Sequence, residues 1–131
     1  MIKTHLFSIF LVTLIFISCK KNLRIENFDP ESWKSDKQGC KAQRLSQAEI
    51  VRYAQPQIEG MSKKELIDLF GQPDETNLFE KGQMTYKYYI SPGPKCISDE
   101  ESPMVQSLEI RMNALGFVSE VHFNIFAVPT L

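Results

Sequence analysis

Two stretches decide the fold class: Gly60-Met61-Ser62-Lys63-Lys64-Glu65-Leu66-Ile67-Asp68-Leu69-Phe70-Gly71-Gln72-Pro73-Asp74 and, ten residues further on, Met84-Thr85-Tyr86-Lys87-Tyr88-Tyr89-Ile90. In the first, Ser62 stands three residues before Glu65. Its hydroxyl can accept from the Glu65 amide while the Glu65 carboxylate reaches back to the Ser62 amide, a capping box. Met61 before the cap and Leu66 beyond it form the matching hydrophobic staple. Leu66, Leu69 and Phe70 mark one face, and Gly71 with Pro73 supplies the stop, so a helix of about nine residues is expected. In the second stretch the period drops to two, with Met84, Tyr86, Tyr88 and Ile90 on one side of a strand.

Working outward, the same device recurs upstream: Ser46 as cap, Glu49 three residues on, and Leu45 facing Ile50. A short helix is expected from Ser46, with Ile50, Val51 and Ala54 as its apolar stripe and Ile58 as a candidate extension, ended or kinked by Pro56 near Ala54 or Gln55. Downstream, Ser91-Pro92-Gly93-Pro94 breaks the strand, and the polar residues to Pro103 read as a long loop carrying Cys96. Leu108, Ile110 and Met112 then alternate with Ser107, Glu109 and Arg111, Asn113 to Gly116 turns the chain, and Phe117, Val121, Phe123 and Ile125 line a last strand. These two strands should form a hairpin, and Thr76 to Glu80 reads as a further short strand. The expected class is α+β: two short helices packed on one face of a roughly three-stranded antiparallel sheet, the other face open.

The N-terminal residues give the address. Met1 to Ser18 carries Lys3, an apolar run from Leu6 to Ile17 and a small residue directly before Cys19, the layout of a cleavable export signal. A run of about 12 residues at roughly 1.5 Å each covers far less than the roughly 30 Å of a bilayer core. Phe16-Ile17-Ser18-Cys19 resembles the lipobox of bacterial lipoproteins, with Phe16 in place of the commoner Leu. The resemblance implies cleavage before Cys19 and acylation of that cysteine. Lys20 beside it, by the enterobacterial sorting pattern, points to the outer membrane and the periplasm. Residues 1–18 are thus read as signal peptide, 19–44 as lipidated cysteine and tether, and 45–131 as one domain. Phe28 and Trp33, with Cys40 nearby, imply that the later half of the tether packs onto the domain, the alternative being a linker with incidental aromatics.

Cys40 and Cys96 remain. An even pair in an exported chain is most simply a disulfide, closing a loop of about 57 residues and contributing on the order of 4 kcal/mol, the alternative being two separate thiols. A net charge of −1 with both signs interspersed offers no basic run for nucleic acid. Past Cys19 there is one histidine, His122, placed opposite Val121 and Phe123 in parity and read as an outward polar residue. Cys40, Cys96 and His122 lack any zinc spacing, Asp99-Glu100-Glu101 lacks the ligand pattern of a calcium loop, and Gly71 and Gly93 belong to no phosphate cradle. No metal, cofactor or catalytic set is expected. Tyr86, Tyr88 and Tyr89 are the candidate partner contacts. Tyr89 comes first because it must face away from its neighbours, the alternative being a half-buried strand tyrosine.

The run from the capped helix start at Gly60 to the stop Leu69-Phe70-Gly71-Gln72-Pro73, followed by tyrosine-rich strands and Leu115-Gly116-Phe117-Val118 at the last turn, resembles the BamE-like (SmpA/OmlA) outer-membrane lipoproteins and the small domains like the repeats of beta-lactamase inhibitor protein. The likeness spans roughly Gly60 to Ile125. It implies a membrane-anchored, protein-binding or assembly module without enzymatic activity, whose partner is an envelope protein. The alternative it implies is an inhibitor or accessory subunit of a periplasmic enzyme. The Cys40 and Cys96 pair and the long loop from Ser91 to Pro103 depart from the pattern.

Overall fold

The computed structural model describes residues 23–97 and 104–128. Four helical segments, α1 (Pro30–Ser35), α2 (Gln43–Tyr53), α3 (Gln55–Ile58) and α4 (Lys63–Phe70), precede four strands, β1 (Glu75–Leu78), β2 (Met84–Tyr89), β3 (Met104–Met112) and β4 (Val118–Ala127). The strands form one antiparallel meander in chain order, β1-β2-β3-β4. The class is α+β, as the sequence implies. The sheet has four strands because Glu75–Leu78 pairs with β2, Leu78 lying opposite Met84.

The two capping boxes part company. At α4 the Ser62 hydroxyl accepts from the Glu65 amide at 3.3 Å, and the Glu65 carboxylate accepts from the Ser62 amide at 2.8 Å. The helix stops at Gly71, whose φ of 75° suits a residue without Cβ. At α2 the box is not made. The helix begins at Gln43, and Ser46 lies inside it, its hydroxyl donating to the Gln43 carbonyl at 2.7 Å. The physical reason is Asp36, whose carboxylate accepts from the amides of Lys41 (2.7 Å) and Arg44 (2.9 Å) and so supplies the first-turn acceptor from a distance. Pro56 acts as expected: α2 ends at Tyr53 and the chain restarts as α3.

The later half of the segment up to Arg44 packs onto the domain, as Phe28 and Trp33 imply, and the domain boundary expected at Leu45 is corrected: among the described residues the folded unit already includes Leu23 and Ile25. Asp29 caps α1 through the amides of Glu31 and Ser32. Trp33 is fully buried, and Ile25 and Phe28 join it in the core. Phe28, Trp33, Phe70 and Tyr88 form one aromatic cluster, with ring centroids 5.3 to 6.4 Å apart. A chain this short needs those side chains to complete a layer over α4 and the sheet.

Cys40 and Cys96 are bonded, their Cα atoms 5.6 Å apart. The bridge joins the turn after α1 to the loop after β2. Around it the backbones nearly touch: a Cβ on Gly39 would lie 2.5 Å from the Ser91 carbonyl oxygen, and the Gly93 amide donates to the Gln38 carbonyl at 2.8 Å.

Candidate interaction surface

Strand β2 sends Tyr86 and Tyr88 toward the helices and Tyr89 to the opposite face, as alternation demands. None of the three is a surface contact, and the sequence reading is corrected here: Tyr86, Tyr88 and Tyr89 are 3%, 0% and 2% exposed. The Tyr88 hydroxyl donates to the Gly71 carbonyl at 2.9 Å and the Tyr86 hydroxyl reaches the Met84 sulfur at 3.7 Å. The Tyr89 hydroxyl donates to the Glu75 carboxylate at 2.5 Å. Its ring lies against Gly93, where an added Cβ would come within 2.8 Å, and against Phe126 at 6.5 Å between centroids. The loop held by the disulfide therefore folds over this end of the outer sheet face. Burial pushes the phenols of Tyr88 and Tyr89 well above their ordinary range, and at Tyr89 the hydrogen bond to Glu75 adds to it.

Beneath the same end lies a buried polar knot that no local sequence signal marks. The Arg44 and Asp74 side chains, 1% and 3% exposed, pair at 2.5 Å. Arg44 also donates to the carbonyls of Trp33 (3.0 Å) and Tyr89 (3.1 Å), and its guanidinium lies 5.4 Å from the Trp33 ring centre. Asp74 in turn accepts from the amides of Gln38 (3.0 Å) and Tyr89 (2.8 Å). Such desolvated charges persist only when their remaining donors and acceptors are matched, and here they bind the N-terminal layer to β2. The knot is structural. Its residues were legible only as tether (Arg44) and as the end of a helix-stop motif (Asp74).

What remains in contact with solvent is a charged strip across the outer face. Lys87 lies 3.2 Å from Glu109 and 3.8 Å from Glu75, and Glu120 pairs with Arg111 at 2.9 Å and with His122 at 2.8 Å. The Glu120 carboxyl is held below its ordinary range by the His122 hydrogen bond first and then by the Arg111 charge. His122 is exposed and faces outward, as its parity implies. Among the exposed apolar side chains, Leu78, Phe79, Leu115 and Phe117 share the end of the sheet where β1 turns into β2 and β3 into β4, while Leu45 and Tyr53 lie on α2 and Met104 and Ile125 towards the other end of the sheet.

Among the described residues no group of three or more histidine, cysteine or acidic side chains is placed to hold a metal ion, and no helix is long and apolar enough to cross a membrane. Cys19 and the run Asp99-Glu100-Glu101 lie outside the described residues. No family model matches the chain, and neither a curated protein nor a solved structure matches it.

Proposed function

We propose that the protein is a lipid-anchored module of the bacterial cell envelope, fixed through Cys19 to the outer membrane on its periplasmic side, that binds a protein partner and does no catalysis. The observation that carries this reading is the motif Phe16-Ile17-Ser18-Cys19 directly after the apolar run ending at Ile17. The Cys40–Cys96 bridge supports it, since disulfides persist in oxidising, exported compartments. The capped helix α4 running through Gly71 and Pro73 into the meander supports the BamE-like relationship, because those are the elements in which the resemblance lies. With the tyrosines buried, the partner surface is assigned to the charged strip of Lys87, Glu109, Arg111, Glu120 and His122, whose paired charges favour orientation and partner choice over raw affinity.

The test is processing and labelling. Wild-type protein should incorporate radiolabelled palmitate and sediment with membranes, whereas Cys19→Ala should take up no label and retain the N-terminal segment. Equal labelling of the two would end the anchoring claim. For the surface, a photo-crosslinking side chain at His122 should give one discrete protein adduct in membranes, while adducts formed from Tyr53 on α2 but not from the strip would move the partner to the helical side.

A further inference from the structure

Four of the large apolar side chains left in water share one end of the sheet. Leu78 and Phe79, at the β1–β2 turn, are 70% and 53% exposed, and Leu115 and Phe117, at the β3–β4 turn, are 84% and 45% exposed. The register puts both turns at that end, because Met84 at the start of β2 pairs with Met112 at the end of β3. The tips adjoin: a Cβ on Gly82 would meet the Ala114 methyl at 4.0 Å. Lys63, at the start of α4, lines the cleft between them with Met84 and Met112.

Both tips are fixed. The Phe79 amide donates to the Gln83 carbonyl and the Asn113 amide to the Phe117 carbonyl, each at 2.8 Å. The Asn113 side chain also accepts from the amides of Leu115 (3.0 Å) and Phe117 (3.1 Å). The backbone that carries their apolar groups therefore needs little further ordering on docking. Lys63 and Lys81 are exposed beside them, and Glu80 is the one acidic residue in the two turns. Apolar points with lysines at their margin suit the boundary between acyl chains and headgroups, where an apolar face settles about 5–10 Å deep.

The chain before the described residues says which surface lies within reach. Leu23 packs against the core and lines one cleft with Glu65, Asp68 and Leu69 of α4, the helix whose first residue lines the cleft between the tips. Lys20, Lys21 and Asn22 separate Leu23 from Cys19, a span of at most about 14 Å, and α4 itself is about 12 Å long. Fully extended, that segment is long enough to run the length of α4, from the cleft that Leu23 lines to the cleft between the tips. We propose that the two hairpin tips, Leu78–Phe79 and Leu115–Phe117, insert into the interfacial layer of the bilayer leaflet that holds Cys19, giving the domain a second membrane contact. This rests on the reading that Cys19 is lipidated.

The test uses the lipidated full chain in vesicles of phosphatidylethanolamine and phosphatidylcholine, with a nitroxide label on Leu115→Cys, on Phe79→Cys, or on Met104→Cys at the opposite end of the sheet. Vesicle flotation is scored for every sample. Both tip labels should show a several-fold higher ratio of oxygen to aqueous nickel-reagent collisions than the Met104 label. Tip labels that match Met104 in protein that floats would overturn the inference and leave the anchor intact. Tip labels shielded only after a second envelope protein is added would overturn it in favour of a protein partner. Protein that fails to float would remove the anchor and the inference together.

Discussion

Residues 45–50 and 61–66 carry the same local instructions, a serine, a glutamate three residues later and a flanking apolar pair, yet only the second set is obeyed. At Ser62 nothing competes for the helix start, and both reciprocal hydrogen bonds form. At Ser46 the buried carboxylate of Asp36 needs donors, because an unmatched charge out of water costs far more than a lost cap. It takes the amides of Lys41 and Arg44, and Arg44 is held in place by Asp74 on the other side. The helix start moves upstream to Gln43. A cap worth about 1 kcal/mol yields to a buried network whose disruption would cost about 3–5 kcal/mol.

Arg44→Ala leaves Asp74 buried without its partner and should lower stability by about 3–5 kcal/mol, read from the denaturant midpoint. An unchanged midpoint would show that the knot does not govern the placement of α2. Alkaline pH is the next lever. The phenols of Tyr88 and Tyr89 titrate higher in the folded chain than in the unfolded one, so their contribution is complete below pH about 10 and is lost as pH rises through the folded values. Unfolding followed with tyrosine absorbance should therefore show ionisation and loss of structure together above that pH, and early, independent ionisation of all tyrosines would contradict the burial of Tyr88 and Tyr89.

Asp36→Ala should cost about 1–3 kcal/mol and speed hydrogen exchange at the Arg44 amide, whose acceptor it removes. Ser62→Ala should cost about 1 kcal/mol, whereas Ser46→Ala should stay within about 0.5 kcal/mol. The finest test is their combination: in the Asp36→Ala background the Ser46 box is free to form, so Ser46→Ala should then cost about 1 kcal/mol. Strict additivity would mean that Asp36 is not what silences Ser46.

Legibility followed the same division. Helix α4, the three longer strands, the parity of β2 and β3 and the hairpin from β3 to β4 were readable because their signals lie within a few residues of the backbone they shape; the start of β4 was not, since a register shift beside Met112 buries Val118 and leaves Phe117, expected to line the strand, exposed. The N-terminal layer was not, since Trp33, Asp36 and Arg44 acquire their roles from Tyr88, Tyr89 and Asp74, which lie far along the chain. Tyr89 illustrates the limit at the surface: alternation assigns its face correctly, but its exposure depends on Gly93 and a loop folded back across the sheet. The apolar tips could be read as turns, while their adjacency follows only from the register between β2 and β3.

The meander in strict chain order has a consequence for biogenesis. Each strand finds its partner in the next stretch to be made, so the sheet can assemble as the chain emerges, through contacts of short sequence separation. The N-terminal layer cannot. Cys40 appears 56 residues ahead of Cys96, and Trp33 and Arg44 precede the strand they cover. The first part of the domain to be synthesised is thus the last able to dock, and until then a tryptophan, a phenylalanine and a free thiol travel uncovered. That interval is when a holding chaperone and a thiol oxidase would have most to act upon.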